Sequence, residues 1–376
     1  MRILYVLTSL GMGGAEKLSL ALLDRIERRG HTVALLVLMP PVKEEWPSSA
    51  QRVYLNIQSS LLSMVRGFWH ARRFAAEFQP DLIHSHSFHS NLLARLLKLL
   101  LGRSIVISTV HNVYEGGWWR MLAYRLTDRL SRLTVAVSQA AARRFVQLKA
   151  IPGRKCRVIV NGIDTVQFTP DAQRRLCVRT GVSLRLNPDA FLWIAAGRIT
   201  VAKDYPNLLR AFARVRADCA GVRLWIAGES APGPLAELQS LAADLNLNNS
   251  VEWLGLRRDM PALLDAADGF VSASAWEGMP LAVAEAMAME KPVVATDVGG
   301  LRELIGETGA IVSPRNPEAL ARAMLEVMQQ SREQRCALGR LARSRIARHF
   351  SIEANADRWE ALYRQLAVSG VVDDEG

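Results

Sequence analysis

The chain has 376 residues, 50% of them hydrophobic and 22% charged, which excludes a disordered or fibrous protein and leaves room for two domains with substantial cores. Its four cysteines (Cys156, Cys177, Cys219, Cys336) are scattered without CxxC or Cys/His spacing, arguing against a disulfide framework or zinc site and for a reducing compartment. The net charge is +11 and lopsided: residues 60–160 hold sixteen Lys and Arg against four Asp and Glu, so an anionic surface, nucleic acid or lipid head groups, is expected there.

The chain opens on RILYVLTS, which reads as a strand and not a signal peptide, because it runs into a glycine-rich turn without a small-residue cleavage site. AEKLSLALLDRIERRG follows as a helix and HTVALLVLM as a strand. Next come the helical LLSMVRGFWHARRFAAEF, the strand DLIHSH and the helical NLLARLLKLLLG. The strands SIVISTVHN, LTVAVS and CRVIVNG complete the first half. Arg95 and Lys98 break the most apolar stretch, and no run reaches the ~18 residues of a membrane span, so a cytosolic protein is expected.

Between Asp164 and Asp189 the pattern dissolves into polar, proline-punctuated sequence and reads as a link. The alternation then restarts, with strands FLWIAAG, VRLWIAG, VEWLG, GFVSAS, KPVVATD and GAIVSP. Helices between them are DYPNLLRAFARVRA, PLAELQSLAADL, PLAVAEAMAM and PEALARAMLEVMQQ. This predicts an α/β protein of two doubly wound domains in tandem, with ligand between facing strand ends. Residues 1–165 and 166–350 are the expected domains; 351–376 hold a last amphipathic helix, expected to cross back to the first domain, and a frayed tail.

Three stretches point to phosphate chemistry. GMGGAEK places Gly11, Gly13 and Gly14 at a strand-to-helix turn where backbone N–H groups can approach an anion. The third position of a dinucleotide fingerprint is Glu16, not glycine, which weakens a nicotinamide reading. AAGRITVAKDYPNLLRAF sets Arg198 and Lys203 after a strand, with Asp204 as N-cap of the next helix, and two such cations suit a diphosphate. WEGMPLAVAE offers a second helix start, Gly278, Met279, Pro280 and Leu281, with Pro280 as first helical residue. Glu277 and Glu285 flank it, and carboxylates repel phosphate but accept paired hydrogen bonds from a diol. Glu285 then suits a ribose and Glu277 sugar hydroxyls: ribose, diphosphate and sugar in a row describe a nucleotide sugar.

His84, His86 and His89 cluster at a strand end, with no Cys or carboxylate beside them to make a zinc site. His86 is read as lining an acceptor cleft and His84 as a satisfied core residue. In LLSMVRGFWHARRFAAEF the apolar stripe Leu61, Met64, Val65, Phe68 and Ala75 is expected to pack on its own sheet, opposite Arg66, His70 and Arg73. The other reading uses Phe68, Trp69, Trp118 and Trp119 as an interfacial contact.

Together, GGAE at Gly13 to Glu16, the strand-end His111, VNGID at Val160 to Asp164, Arg198 with Lys203, the E-x7-E of Glu277 and Glu285, and PVVATDVGG resemble the retaining family 4 glycosyltransferases (glycosyl transferases group 1). The resemblance covers nearly the whole chain. It implies the GT-B architecture of two Rossmann-like domains facing across a cleft, acceptor on the first and donor on the second, with retained anomeric configuration and no metal or other cofactor. It implies that Arg198 and Lys203 stabilise the leaving diphosphate, Glu285 holds ribose, and Glu277 and His111 contact the donor sugar. Gly13, Gly14 and Gly278 to Leu281 fall to the donor, Glu16 and His86 to the acceptor. EGGWWR resembles the flexible acceptor-side loop of this family.

The expected function is metal-independent transfer of a hexose or N-acetylhexosamine from a nucleotide diphosphate sugar to a lipid-linked glycan or glycolipid. VAKDYPNLL resembles stretches from surface-polysaccharide pathways such as lipopolysaccharide biosynthesis, which favours a UDP-sugar. No DxD-like pair stands beside the diphosphate groups; Asp373 and Asp374 are in the tail. The protein is expected in the cytoplasm, peripherally bound to the anionic inner face of the membrane. The alternatives are a nucleotide-sugar epimerase of the same architecture, an NAD-dependent oxidoreductase and a nucleic-acid-binding protein. No RNP, HTH or OB signature supports the last, so no nucleic acid is expected as partner.

Overall fold

The structure, a computed structural model, describes residues 1–11, 13–40, 50–58, 60–180 and 190–372. The chain divides into two compact units, Met1–Gly162 with Ile352–Gly376, and Ile163–Ser351.

The first unit is built on seven parallel strands: β1 (Arg2–Leu7), β2 (Thr32–Val37), β3 (Gln51–Tyr54), β4 (Leu82–His86), β5 (Ile105–Val110), β6 (Leu133–Ala136) and β7 (Cys156–Val158). Their order is β3-β2-β1-β4-β5-β6-β7. Helices α1 (Gly14–Arg28), α2 (Leu61–Phe78), α3 (Phe88–Leu101), α4 (Trp118–Thr127) and α5 (Gln139–Gln147) connect them. Both faces are covered, so the strands are nearly continuous apolar runs. Ile3, Tyr5 and Leu7 of β1 pack with Leu22, Leu23 and Ile26 of α1 and with Trp359 and Tyr363 of the last helix, α14 (Ile352–Val372). The alternate residues Leu4 and Val6 meet Phe74 and Phe78 of α2 and Leu97 of α3.

The second unit carries six parallel strands: β8 (Leu192–Ala196), β9 (Arg223–Ala227), β10 (Val251–Gly255), β11 (Gly269–Ser272), β12 (Val293–Thr296) and β13 (Ala310–Val312). Their order is β10-β9-β8-β11-β12-β13. Its helices are α6 (Ala172–Thr180), α7 (Tyr205–Asp218), α8 (Pro232–Asp244), α9 (Met260–Ala266), α10 (Leu281–Ala288), α11 (Leu301–Ile305), α12 (Pro317–Gln329) and α13 (Arg332–His349). Trp193, Phe212, Leu224, Val271, Val294 and Met324 lie in its core.

Each sheet reverses its strand order once, between β1 and β4 and between β8 and β11. In open α/β sheets ligands bind beyond the carboxyl ends of strands at such a switch point. The residues expected to carry function cluster at these two places.

Several expectations are corrected. Helix α6 lies inside the stretch read as a link, of which residues 181–189 are outside the described residues. It is fastened by charge: Arg174 pairs with Asp265, and Arg175 and Arg179 pair with Asp268. The exposed stripe of α2 is also a correction. Leu61, Met64 and Val65 do not pack on the sheet but face solvent, because the buried face is made by Gly67, Ala71, Phe74, Ala75 and Phe78. Helix α10 starts at Leu281, with Pro280 just outside it. Asp204 does precede α7, but in a left-handed conformation (φ 47°) whose side chain makes no capping bond.

Candidate functional site

In the second unit, the chain leaves β8 through Ala196, Gly197 and the exposed Arg198, then makes a short 3₁₀ turn, Val201–Lys203, before α7. Gly197 sits at φ +149°, and a Cβ there would lie 2.7 Å from Lys203 Cε, so glycine leaves the space the lysine stem fills. Tyr205, the first residue of α7, donates its hydroxyl to the Gly197 carbonyl at 2.7 Å and fixes the turn from below. Beyond β11, Ala275 N–H donates to the Ala202 carbonyl at 2.8 Å, joining the two strand-end loops at the switch point.

That joint brings Lys203 and Glu277 together. Lys203 Nζ donates to Glu277 Oε1 at 2.6 Å, and Ser274 Oγ donates to the same oxygen at 2.8 Å. Both side chains are largely buried, at 21% and 12% exposure, so this charge-assisted pair is stronger than a surface ion pair. Ser274 is held in turn by Thr296 Oγ1, which donates to its carbonyl at 2.6 Å. Gly299, at φ +58°, approaches the backbone of Glu277 so closely that a Cβ would lie 2.2 Å from the Glu277 carbonyl oxygen. Gly300 N–H donates to the Gly278 carbonyl at 2.8 Å. Gly299 of VGG is therefore needed where it stands, because a side chain there would push the loop before α10 away from the turn that follows β12.

Met279 and Pro280 are buried in that loop, and Leu281 opens α10. No side chain caps the helix, so its first N–H groups are open to an anion. Glu285 is half-buried on α10, past these N–H groups. Lys203 and Glu277 are thus in contact, while Arg198 belongs to the same strand-end turn as Lys203, and Glu285 to the helix that follows Glu277.

In the first unit, His86 closes β4 and His111 follows β5. His86 Nδ1 and His111 Nε2 share a hydrogen bond at 3.0 Å, with the rings 5.2 Å apart. His84, on the same face of the strand, shares hydrogen bonds with Tyr363 Oη at 2.6 Å and Thr109 Oγ1 at 2.8 Å, and Tyr363 Oη lies 3.1 Å from Tyr5 Oη. Burial depresses the basicity of all three imidazoles; His111 falls to about 4, and His84 and His86 fall well below their ordinary range, lowered further by their histidine neighbours. The cluster is thus neutral at pH 7. His86 Nε2 is buried without a partner among the described residues. His89 stands apart, exposed in the otherwise buried first turn of α3.

At the turn after β1, Glu16 folds back over Gly13 and accepts from Ser9 Oγ at 3.0 Å. Its carboxylate occupies the start of α1, where Gly13 and Gly14 expose N–H groups, so an incoming phosphate there has to displace it.

Glu115, in EGGWWR, was not legible as a site residue. It accepts from His111 N–H at 3.1 Å and from Tyr124 Oη at 2.7 Å, while Asn91 Nδ2 donates to the same tyrosine oxygen at 2.9 Å. Burial pushes its carboxyl up to about 7 despite those bonds. It therefore sets the backbone at His111. Ser274, Thr109 and Tyr363 were also missed; Tyr363 reaches His84 from α14, and no local pattern signals that.

Residues 12–167 match the family described as Glycosyltransferase Family 4, and residues 190–330 match the one described as Glycosyl transferases group 1. Among curated relatives, the chain is 24% identical over 306 residues to the UDP-Gal:alpha-D-GlcNAc-diphosphoundecaprenol alpha-1,3-galactosyltransferase of Escherichia coli, covering 77% of this chain and 76% of that one. It is 28% identical over 342 residues to the lipopolysaccharide core biosynthesis mannosyltransferase LpsB of Rhizobium meliloti, covering 88% and 89%. Its fold is similar to that of Anabaena HepE, solved in complex with UDP and glucose, with TM-score 0.86 and 22% identity over 97% of this chain and 99% of that one.

Proposed function

The chain belongs to the family 4 glycosyltransferases of group 1, with the GT-B fold, and from that premise we propose that it is a retaining, metal-independent enzyme using a UDP-sugar and a lipid-linked acceptor. The observation that carries the donor half is the Lys203–Glu277 pair at the β8/β11 switch point, beside the uncapped start of α10. When the bond between anomeric carbon and phosphate oxygen breaks, charge develops on the diphosphate. Lys203, Arg198 and the first N–H groups of α10 are prearranged cations and donors for that charge. Glu285 holds the ribose, and Glu277 turns its second oxygen to the sugar while orienting Lys203. Because Glu277 is tied to Lys203 and Ser274, it is assigned no nucleophilic role. Retention is then by front-face attack, with the acceptor hydroxyl entering on the side from which the diphosphate leaves and giving it the proton.

The first unit takes the acceptor. A neutral His86, hydrogen-bonded to His111, can exchange hydrogen bonds with acceptor hydroxyls without attracting a diphosphate, and Glu16 supplies an acceptor for them, while His111 is kept for the donor sugar. Support for UDP and a lipid diphosphate comes from the name of the E. coli relative; the two relatives move different hexoses, so the sugar is given only as hexose or N-acetylhexosamine.

A membrane-bound acceptor also accounts for the first unit's surface. Leu61, Leu62, Trp69, Trp118, Trp119 and Leu126 are exposed on α2 and α4, both of which pack on α3. Arg66, Arg72, Arg73, Arg125 and Arg129 accompany them. Aromatics among cations suit peripheral binding to anionic lipid. Among the described residues no helix is long and apolar enough to cross a membrane.

The test is turnover of UDP-glucose, UDP-galactose and UDP-N-acetylglucosamine with and without a polyprenyl-diphosphate-linked sugar, in EDTA. Acceptor-dependent release of UDP with an α-linked product supports the proposal. Conversion of the UDP-sugar without acceptor marks an epimerase and refutes it.

A further inference from the structure

On the second unit a cavity of about 240 Å³ opens beside α7 and α12, lined by Asp204, Asn207, Arg210, Trp276, Arg315 and Pro317 among others. None of these is assigned above to donor or acceptor. Four observations about it are independent. Asn207 is 4% exposed, yet neither atom of its carboxamide has a partner among the described residues. Such a group is costly to bury unsatisfied, and native proteins seldom do so without a reason. Arg210 and Arg315 are exposed and make no ion pair or hydrogen bond through their guanidinium groups among the described residues. Helix α7, fourteen residues long, begins at the cavity with no side-chain cap bond, Asp204 standing at its N-cap position. Arg315 is held at φ +55° immediately before the capped start of α12, a backbone state uncommon for arginine.

The chemistry that satisfies all four is an anion with hydroxyl groups. Two guanidiniums and the α7 terminus match an oxyanion. The Asn207 carboxamide and Asp204 carboxylate match hydroxyls, and Trp276 offers an apolar ring edge. The volume lies below the ~300 Å³ at which pockets hold drug-sized ligands, so a single sugar ring with one anionic group fits and a nucleotide sugar does not.

We propose that this cavity is a second ligand site, separate from the donor site, for a monosaccharide phosphate. It adjoins the donor loops without using the side chains assigned to the donor: Val201, Ala275 and Trp276 line it, Lys203 and Glu277 do not. The site is defined by its own residues, so it stands whether or not the transfer reaction is as proposed.

Calorimetric titration of the full chain with glucose 6-phosphate, inorganic phosphate and glucose, each with UDP held in excess, is the experiment. Saturable binding of glucose 6-phosphate, weaker binding of phosphate and none of glucose are expected. The double variant Arg210→Ala/Arg315→Ala, both at the surface and with unchanged circular dichroism, should weaken glucose 6-phosphate at least tenfold. Asn207→Asp, which keeps the shape and adds a negative charge, should weaken it too. Phosphate binding as tightly as the sugar phosphate would overturn the sugar assignment. No binding, or binding indifferent to the arginine variant, would overturn the site.

Discussion

Replacing Glu277 by glutamine tests how charge is balanced in the donor site. Lys203 gives a charge-assisted hydrogen bond to Glu277 Oε1 at 2.6 Å, and Ser274 gives a second at 2.8 Å. Bonds to charged groups contribute about 1.5–3 kcal/mol. Glutamine keeps the shape and one acceptor oxygen, so roughly half is lost and the unit is destabilised by about 1 kcal/mol, or about 2–4 °C in Tm. The effect on nucleotide runs the other way. A diphosphate must share Lys203 with the carboxylate, and the carboxylate itself repels the incoming charge. Neutralising it should tighten free UDP by about tenfold, near 1.4 kcal/mol, while turnover falls by about tenfold to a hundredfold as contacts to the transferred sugar weaken. Calorimetry with UDP, paired with kcat on the UDP-sugar, measures both. Loss of UDP binding in Glu277→Gln, or an unchanged kcat, would refute the reasoning.

Glu285→Gln should do the reverse, weakening free UDP about tenfold to a hundredfold, since ribose is common to donor and product; an unchanged Kd in calorimetry removes Glu285 from the ribose. Glu115 binds its proton up to about pH 7 in the folded chain but only to about 4.5 when unfolded, so between those values the folded state holds the extra proton and stability falls as pH rises. The whole effect is about 3 kcal/mol; urea melts of Glu115→Gln should gain on the parent between pH 5 and pH 8, and a pH-independent difference contradicts this. The neutral, buried His84, His86 and His111 act oppositely: the unfolded chain binds their protons first, so stability should fall as pH drops from about 6.5 toward 4. Trp69→Ala/Trp118→Ala should reduce flotation with phosphatidylglycerol vesicles at low salt, and high salt should release the parent protein; equal recovery of both proteins leaves those rings without a membrane role.

Most of the sheet framework was readable because parallel strands covered on both faces are uninterrupted apolar runs. All six strands of the second unit were found this way, as LWIAA and RLWIA show. β3 was not readable: Gln51–Tyr54 is a four-residue edge strand whose residues are mostly half-buried. α6 escaped for another reason, since ion pairs to Asp265 and Asp268 rather than an apolar stripe attach it. The stripe on α2 misled because periodicity shows that a helix has an apolar face, not that the protein covers it. At the site, the residue types and spacing around Lys203 and Glu277 were legible. That the two bind each other was not, because 74 residues separate them and their meeting depends on β8 and β11 lying side by side.

The central claim is that the diphosphate of a UDP-sugar rests on Lys203 without help from a metal. Titration of UDP into the parent protein and Lys203→Ala, both in EDTA, tests it directly. Saturable one-site binding to the parent is predicted, with at least tenfold weaker binding to the variant, in which Glu277 is left as an unpaired negative charge. Equal affinity in the two proteins, or parent binding that appears only when Mg²⁺ or Mn²⁺ is restored, would contradict it.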